Sequence, residues 1–191
     1  MTTEVGRPRD RGIDEAVLRA TVDLISESSY AELSLDAIAA RAGTSKPAIY
    51  RRWRGKAHLV HEAVFPLDAS TGIPATGSLH GDVREMLATT LAMFSAPAAR
   101  AALPGLVGEM ASDPTLHAAL LERFADVLVG DLSEFLRSAA DRGEVRADVT
   151  ATQLAEAVAG MTLLALLTRG ADIDADWTEQ TATLITKGIG A

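Results

Sequence analysis

Apolar residues recur every three or four positions along most of the 191-residue chain, and period-two alternation never persists for a strand length. The pattern predicts an all-α protein. A first helix is expected over 14–28, with Ile13, Val17, Ala20 and Leu24 as its buried stripe and Asp14 and Glu15 at the end where the helix dipole favours acid. Between Ser34 and Lys56 come two short helices. The first places Leu35, Ile38, Ala39 and Ala42 on one face, with Ser34 as N-cap, and Gly43 ends it. The second follows Ser45 as cap, carries Pro47 in its first turn, where a missing N–H costs little, and is expected to run from Lys46 to Trp53. Ile38, Ile49 and Trp53 supply an apolar lining, so the first three helices can close a small core of their own. A fourth helix, over 56–65, leads away from them.

Residues 66–78, rich in Pro, Gly, Ser and Thr, mark a boundary. Beyond it helices are expected over 79–95, 98–111, 115–141, 151–168 and 174–189, the third of these being the longest element. Pro104-Gly105 forbids a continuous ideal helix over 98–111 and calls for a kink or two pieces. The helix over 151–168 is apolar around much of its circumference and must be covered on two sides. The division expected is a flexible basic arm at 1–11, a helical head at 12–65 joined by its linking helix to a larger helical body at 66–191.

Composition changes this picture little, but charge changes it substantially. With 48% hydrophobic residues the chain folds, and with no cysteine it has neither disulfides nor thiolate metal sites, which fits a reducing cytoplasm. No signal peptide or membrane span is expected, because the longest apolar stretch is interrupted by Glu156, Gly160 and Thr162. The net charge of −8 is unevenly spread: residues 1–60 hold 10 basic against 8 acidic residues, leaving 8 against 18 for the remainder. Between Ala37 and Val60 stand Arg41, Lys46, Arg51, Arg52, Arg54 and Lys56 with no acid at all. A phosphate backbone feels charge within a Debye length of roughly 8 Å, so this local excess counts for more than the total.

A helix starting at Lys46 has the length to lie in a major groove about 12 Å wide with its first residues facing base edges. Lys46 and Arg51 could donate to guanine O6 and N7, and Ala48 could touch a thymine methyl. Arg52 and Lys56 could hold phosphates, and Ser34 could present a helix N-terminus to the backbone. Arg7, Arg9 and Arg11 form an extended arm beside Pro8, which suits either insertion into a minor groove or a solubilising tail. His58 and His61 stand three apart beside Glu62, a spacing too weak to argue for metal without a third ligand. No nucleophile elbow, phosphate-cradling glycine loop or zinc-ligand spacing is present, and His80 and His117 are isolated, so an all-α enzyme or carrier is the lesser reading and no cofactor is expected.

The ordered run Tyr30-Ala31-Glu32-Leu33-Ser34, the Ile38-Ala39 and Ala42-Gly43 pairs, Ile49-Tyr50-Arg51-Arg52-Trp53 and Gly55-Lys56 resembles the N-terminal DNA-binding domain of the TetR family of transcriptional repressors. Trp53 stands where that family more often has phenylalanine, and a packing role is expected of it. The resemblance implies that Tyr50 contacts a phosphate and that Ser45, Lys46, Pro47 and Ala48 lie at the DNA. It also implies a homodimer on double-stranded operator DNA. In such proteins the last two helices of each subunit form the dimer interface, here Ala155, Ala159, Gly160, Ala165, Trp177 and Leu184. Bodies of this kind enclose a small-molecule pocket whose occupation changes the spacing of the heads. The expected lining is Met86, Thr90, Met93 and Phe94, then Glu109 and Met110, then Phe124, Met161 and Leu164, methionines being adaptable to varied apolar ligands. An alternative keeps DNA binding and drops the ligand.

Overall fold

The computed structural model describes residues 11–66, 72–124, 130–170 and 173–191. Arg7 and Arg9 lie outside the described residues, as does the side chain of Phe124. Ten helices are described: α1 (Arg11–Glu27), α2 (Leu35–Arg41), α3 (Lys46–Tyr50), α4 (Lys56–Val64), α5 (Leu79–Ser95), α6 (Pro97–Ser112), α7 (Pro114–Phe124), α8 (Gly130–Asp141), α9 (Ala151–Arg169) and α10 (Ala175–Ile189). Among the described residues there is no strand, only an isolated bridge between Val145 and Gly190.

Helix starts follow side-chain chemistry. Ser34 accepts from Ala37 N at 3.2 Å, Ser78 from Gly81 N at 3.1 Å and Asp174 from Trp177 N at 2.9 Å. Thr150 and Gln153 form a full capping box ahead of α9. Gly43, after α2, has φ +66°, the left-handed conformation that a β-carbon disfavours and that turns the chain toward α3. Buried threonines return their hydroxyls to the helix backbone, Thr21 to the Val17 carbonyl at 2.8 Å and Thr162 to the Val158 carbonyl at 2.7 Å.

Two expectations change. α6 runs unbroken through Pro104, because a proline withdraws only one helical N–H and the rest of the ladder persists. The sharp bend falls instead between α5 and α6, whose axes differ by 86°, with Pro97 opening α6. Of the element expected over 115–141, α7 and α8 are described, and its middle, 125–129, lies outside the described residues. α3 ends at Tyr50 and not at Trp53: Arg51 N still bonds the Pro47 carbonyl, but Arg52 N turns to the Ile49 carbonyl at 2.9 Å, tightening the last turn.

The head does not close its core alone. Ile25, Leu33, Ile38, Ile49, Trp53, Leu59, Val60 and Phe65 belong to one apolar cluster with Phe94, Ala98, Ala99, Ala102, Leu106, Leu116 and Leu120 from α5, α6 and α7. The short helices expose too much apolar surface to cover among themselves, and α6, packed on α1 and α4, completes the burial. Phe65 stacks edge-on against Phe94 at 6.0 Å between centroids and tilted against His61 at 5.7 Å. A second cluster gathers Val83, Met86 and Leu87 of α5 with Leu132, Leu136 and Ala139 of α8, Leu154 and Val158 of α9, and Ala182 and Ile185 of α10. By length and composition α9 would suffice to cross a membrane; here one side packs on α5 and α8.

Candidate nucleic-acid interface

α2 and α3 are held against α1 by Ile38, Ala39 and Ile49, which leaves the outer side of α3 to polar residues. Pro47 and Arg51 are exposed, Arg54 is exposed in the following turn, and Tyr50 is 52% exposed, unusual for a tyrosine without a surface partner. Among the described residues neither Arg51 nor Arg54 is paired with a carboxylate. Ser45 caps α3 only through its backbone geometry, so its hydroxyl makes no capping bond, whereas the Ser34 hydroxyl is used by Ala37 N.

The other basic residues have work inside the head. Arg52 bonds Asp14 through Nε and donates from Nη1 to the Ala48 carbonyl at 3.2 Å, joining α1 to α3 and turning away from the phosphate role expected of it. Lys46 meets Asp36 at 2.8 Å, an ion pair that raises the lysine pKa through the hydrogen bond first and the charge second. Arg41 pairs with Glu27. Ala48 is buried, which leaves its methyl little surface to offer a thymine. Trp53 is buried, as expected, with Nε1 donating to Glu62 at 3.1 Å.

Lys56, at the first position of α4, is half-buried. Its Nζ donates to the Tyr30 carbonyl at 3.0 Å and sits 4.2 Å from the Tyr30 ring centroid. Tyr30 is buried, and its hydroxyl has no hydrogen bond of normal geometry although Glu109 of α6 faces it. Burial first and Glu109 second push the phenol pKa well above its ordinary value. Asp14, Asp36, Tyr30 and Gly105 are the participants that sequence patterning misses, since nothing in spacings of 10 or 38 residues announces an ion pair.

In the body, the expected ligand lining divides. Met86 and Met161 pack in the second cluster, whereas Phe94, Met93 and Met110 pack in the first. Leu164 is 62% exposed and cannot line an interior pocket. Glu109 faces Tyr30, and Thr90 is half-buried. Two open grooves, of about 540 and 700 Å³, run along α5 and α10 and between the 73–77 segment and α8, and none of the expected lining residues borders either. The residues expected at the dimer face divide as well. Ala165 is buried, and Ala155, Ala159 and Trp177 are half-buried against the subunit's own clusters. What stays open is Gly160, Leu164 and Leu167 on α9 and Leu184 on α10, the three leucines each at least 60% exposed.

Comparison with known proteins agrees with this architecture. Residues 17–63 match the model of the bacterial regulatory proteins of the tetR family, and residues 73–185 match the tetracyclin repressor-like C-terminal domain. The chain belongs to the TetR family and is a helix-turn-helix transcriptional regulator. It is 34% identical over 164 residues to the DNA-binding transcriptional repressor TetR of Mycobacteroides abscessus, covering 83% of this chain and 84% of that one. Its fold is shared with the TetR family regulator SCO0332 at a TM-score of 0.71 and 23% identity, covering 94% and 99% of the two chains. It is shared also with FadR of Bacillus subtilis, solved in complex with stearoyl-CoA, at a TM-score of 0.62 and 14% identity, covering 92% and 98%.

Proposed function

We propose that this regulator is a cytoplasmic repressor that binds a palindromic operator as a homodimer. The observation that carries the reading is the outer side of α3 and its following turn, where Tyr50, Arg51 and Arg54 stand exposed in a chain of net charge −8 and, among the described residues, neither arginine is paired with a carboxylate. Arg51 reads a base, together with Lys46 once it leaves Asp36, and Pro47 and Ser45 lie against the groove. Tyr50, Arg54 and Lys56 hold phosphates. One short helix reads too few base pairs, so two heads are required, and half-sites roughly one helical turn or a multiple apart follow from their two-fold symmetry. Leu164, Leu167 and Leu184 supply an apolar face for the second subunit, on helices of a family whose members pair this way.

Selection from a random duplex pool, followed by fluorescence anisotropy on the recovered sequence, tests this directly. The expected product is an inverted repeat, bound with an affinity that falls steeply from 50 to about 200 mM salt. Recovery of no sequence, or binding indifferent to salt, would overturn the reading.

The same proposal includes release by an apolar or amphipathic ligand, supported by the fatty acyl ligand in FadR, which shares the fold. Such a ligand acts by preferring the subunit shape whose heads are badly spaced. The dense packing of Met86 and Phe94 in separate clusters favours a second reading, a regulator that answers to no small molecule. Titrating a library of fatty acids, acyl thioesters and aromatic amphiphiles into the operator complex separates the two: release by any member supports the first.

A further inference from the structure

Tyr30 lies in the turn between α1 and α2, yet three features converge on it. Its ring lies so close to Gly105 of α6 that a β-carbon there would stand 2.1 Å from Cδ1, 2.4 Å from Cγ and 2.8 Å from Cβ. Its carbonyl and the face of its ring together hold the Lys56 ammonium, at 3.0 Å and 4.2 Å. Its hydroxyl is buried toward Glu109, also on α6. Gly105 therefore does not break α6; it opens a notch in the body into which a head residue fits, and that residue in turn grips a cation of the DNA-binding surface.

We propose that Tyr30 is a positioning residue for operator binding: seated in the Gly105 notch, it fixes the Lys56 ammonium where a phosphate oxygen meets it, so that the place of α6 sets the strength of a phosphate contact. The inference rests on the reading of Lys56 as a phosphate contact. An ammonium has three donors, and the Tyr30 carbonyl uses one, leaving charge and donors for DNA. Lysine otherwise loses considerable rotamer freedom on binding, and anchoring it beforehand removes part of that loss. The ring contributes a cation–π attraction without competing for the phosphate. A shift of α6 by an ångström cannot leave Tyr30 in place, because the atoms nearest Gly105 include the ring's root as well as its edge.

The test uses the full-length protein and a mixed-sequence 30-base-pair duplex, with affinity followed against salt concentration. Lys56→Ala should lower the slope of log affinity on log salt by about 1, one phosphate contact. Tyr30→Leu should lower it equally, and Tyr30→Leu combined with Lys56→Ala should lower it no further. Tyr30→Phe, which keeps the ring over the Lys56 ammonium, should leave it unchanged. Gly105→Ala should behave as Tyr30→Leu does, because the new methyl would displace the ring from its root outward. Folding is checked by circular dichroism, and where a single variant does not fold the double variant carries the same comparison. Additive losses for Tyr30→Leu and Lys56→Ala, or a slope untouched by Gly105→Ala, would overturn the proposal. A wild-type protein that ignores salt, or an unchanged Lys56→Ala, would instead remove the phosphate reading on which it rests.

Discussion

Arg51 and Arg52 are adjacent and carry the same charge just past the end of α3, yet only Arg52 finds partners inside the head. Arg52 reaches back to Asp14 and to the Ala48 carbonyl, while Arg51 remains in solvent. Their substitutions should therefore part company. Arg52→Ala should cost roughly 1 to 2 kcal/mol of stability, between the worth of a surface pair and that of a charged hydrogen bond, read as a lowered urea midpoint. Arg51→Ala should leave the midpoint unchanged and relax operator preference by about 1 to 3 kcal/mol. Matching effects of the two on both measurements would count against the assignment. Asp36 offers a third case: Asp36→Ala removes an acid beside the groove and frees Lys46, so affinity for random duplex should rise at low salt. A fall in that affinity would mean that Asp36 orients Lys46 usefully.

Among elements, α4 is where the head meets the body. It packs on α1, α6 and α7 and carries His58 and His61 on that seam. His58 has its pKa lowered, by burial first and the neighbouring Arg54 second, with Asp113 opposing them. A histidine held neutral in the fold lets the unfolded chain bind the extra proton, so its contribution to stability is complete above the unfolded pKa of about 6.5 and is lost as pH falls below it. The melting temperature of the wild type should drop between pH 7 and 5, and His58→Gln should flatten that drop. An equal drop in the variant would place the acid sensitivity elsewhere. His61, stacked against Phe65, is buried more deeply and reads as part of the apolar seam rather than as half of a metal site.

At the scale of the whole molecule, the proposed dimer rests on the open leucines of α9 and α10. Leu164→Glu with Leu184→Glu places like charges on a surface that its own subunit does not use, so the fold should survive while the dimer does not. Sedimentation should then show a monomer with unchanged helical content, and operator affinity should fall steeply because each head would bind alone. A persistent dimer would move the interface to another face.

Helix existence was legible throughout, since period and caps are local: 79–95 and 56–64 fall where the apolar stripe and the flanking Ser78 and Gly55 place them. So was the DNA-binding head, through an ordered run of small, aromatic and basic residues that one short stretch carries complete. Pro104-Gly105 misled because its local meaning, a helix break, yields to packing: the ladder tolerates one missing N–H, and the glycine is needed by a ring 75 residues away in sequence. The pocket and dimer residues were illegible for the same reason. Met86, Leu164 and Ala165 are all apolar positions of amphipathic helices, and only the arrangement of α5, α9 and α10 decides which are sealed in and which are left open. The sequence by itself determined the helices, their caps and the basic surface, each set by residues a few positions apart. Which cations are paired inside the head, which leucines face solvent, and how the head is joined to the body were decided by tertiary structure, because burial and ion pairing depend on neighbours that the chain brings together only when it folds.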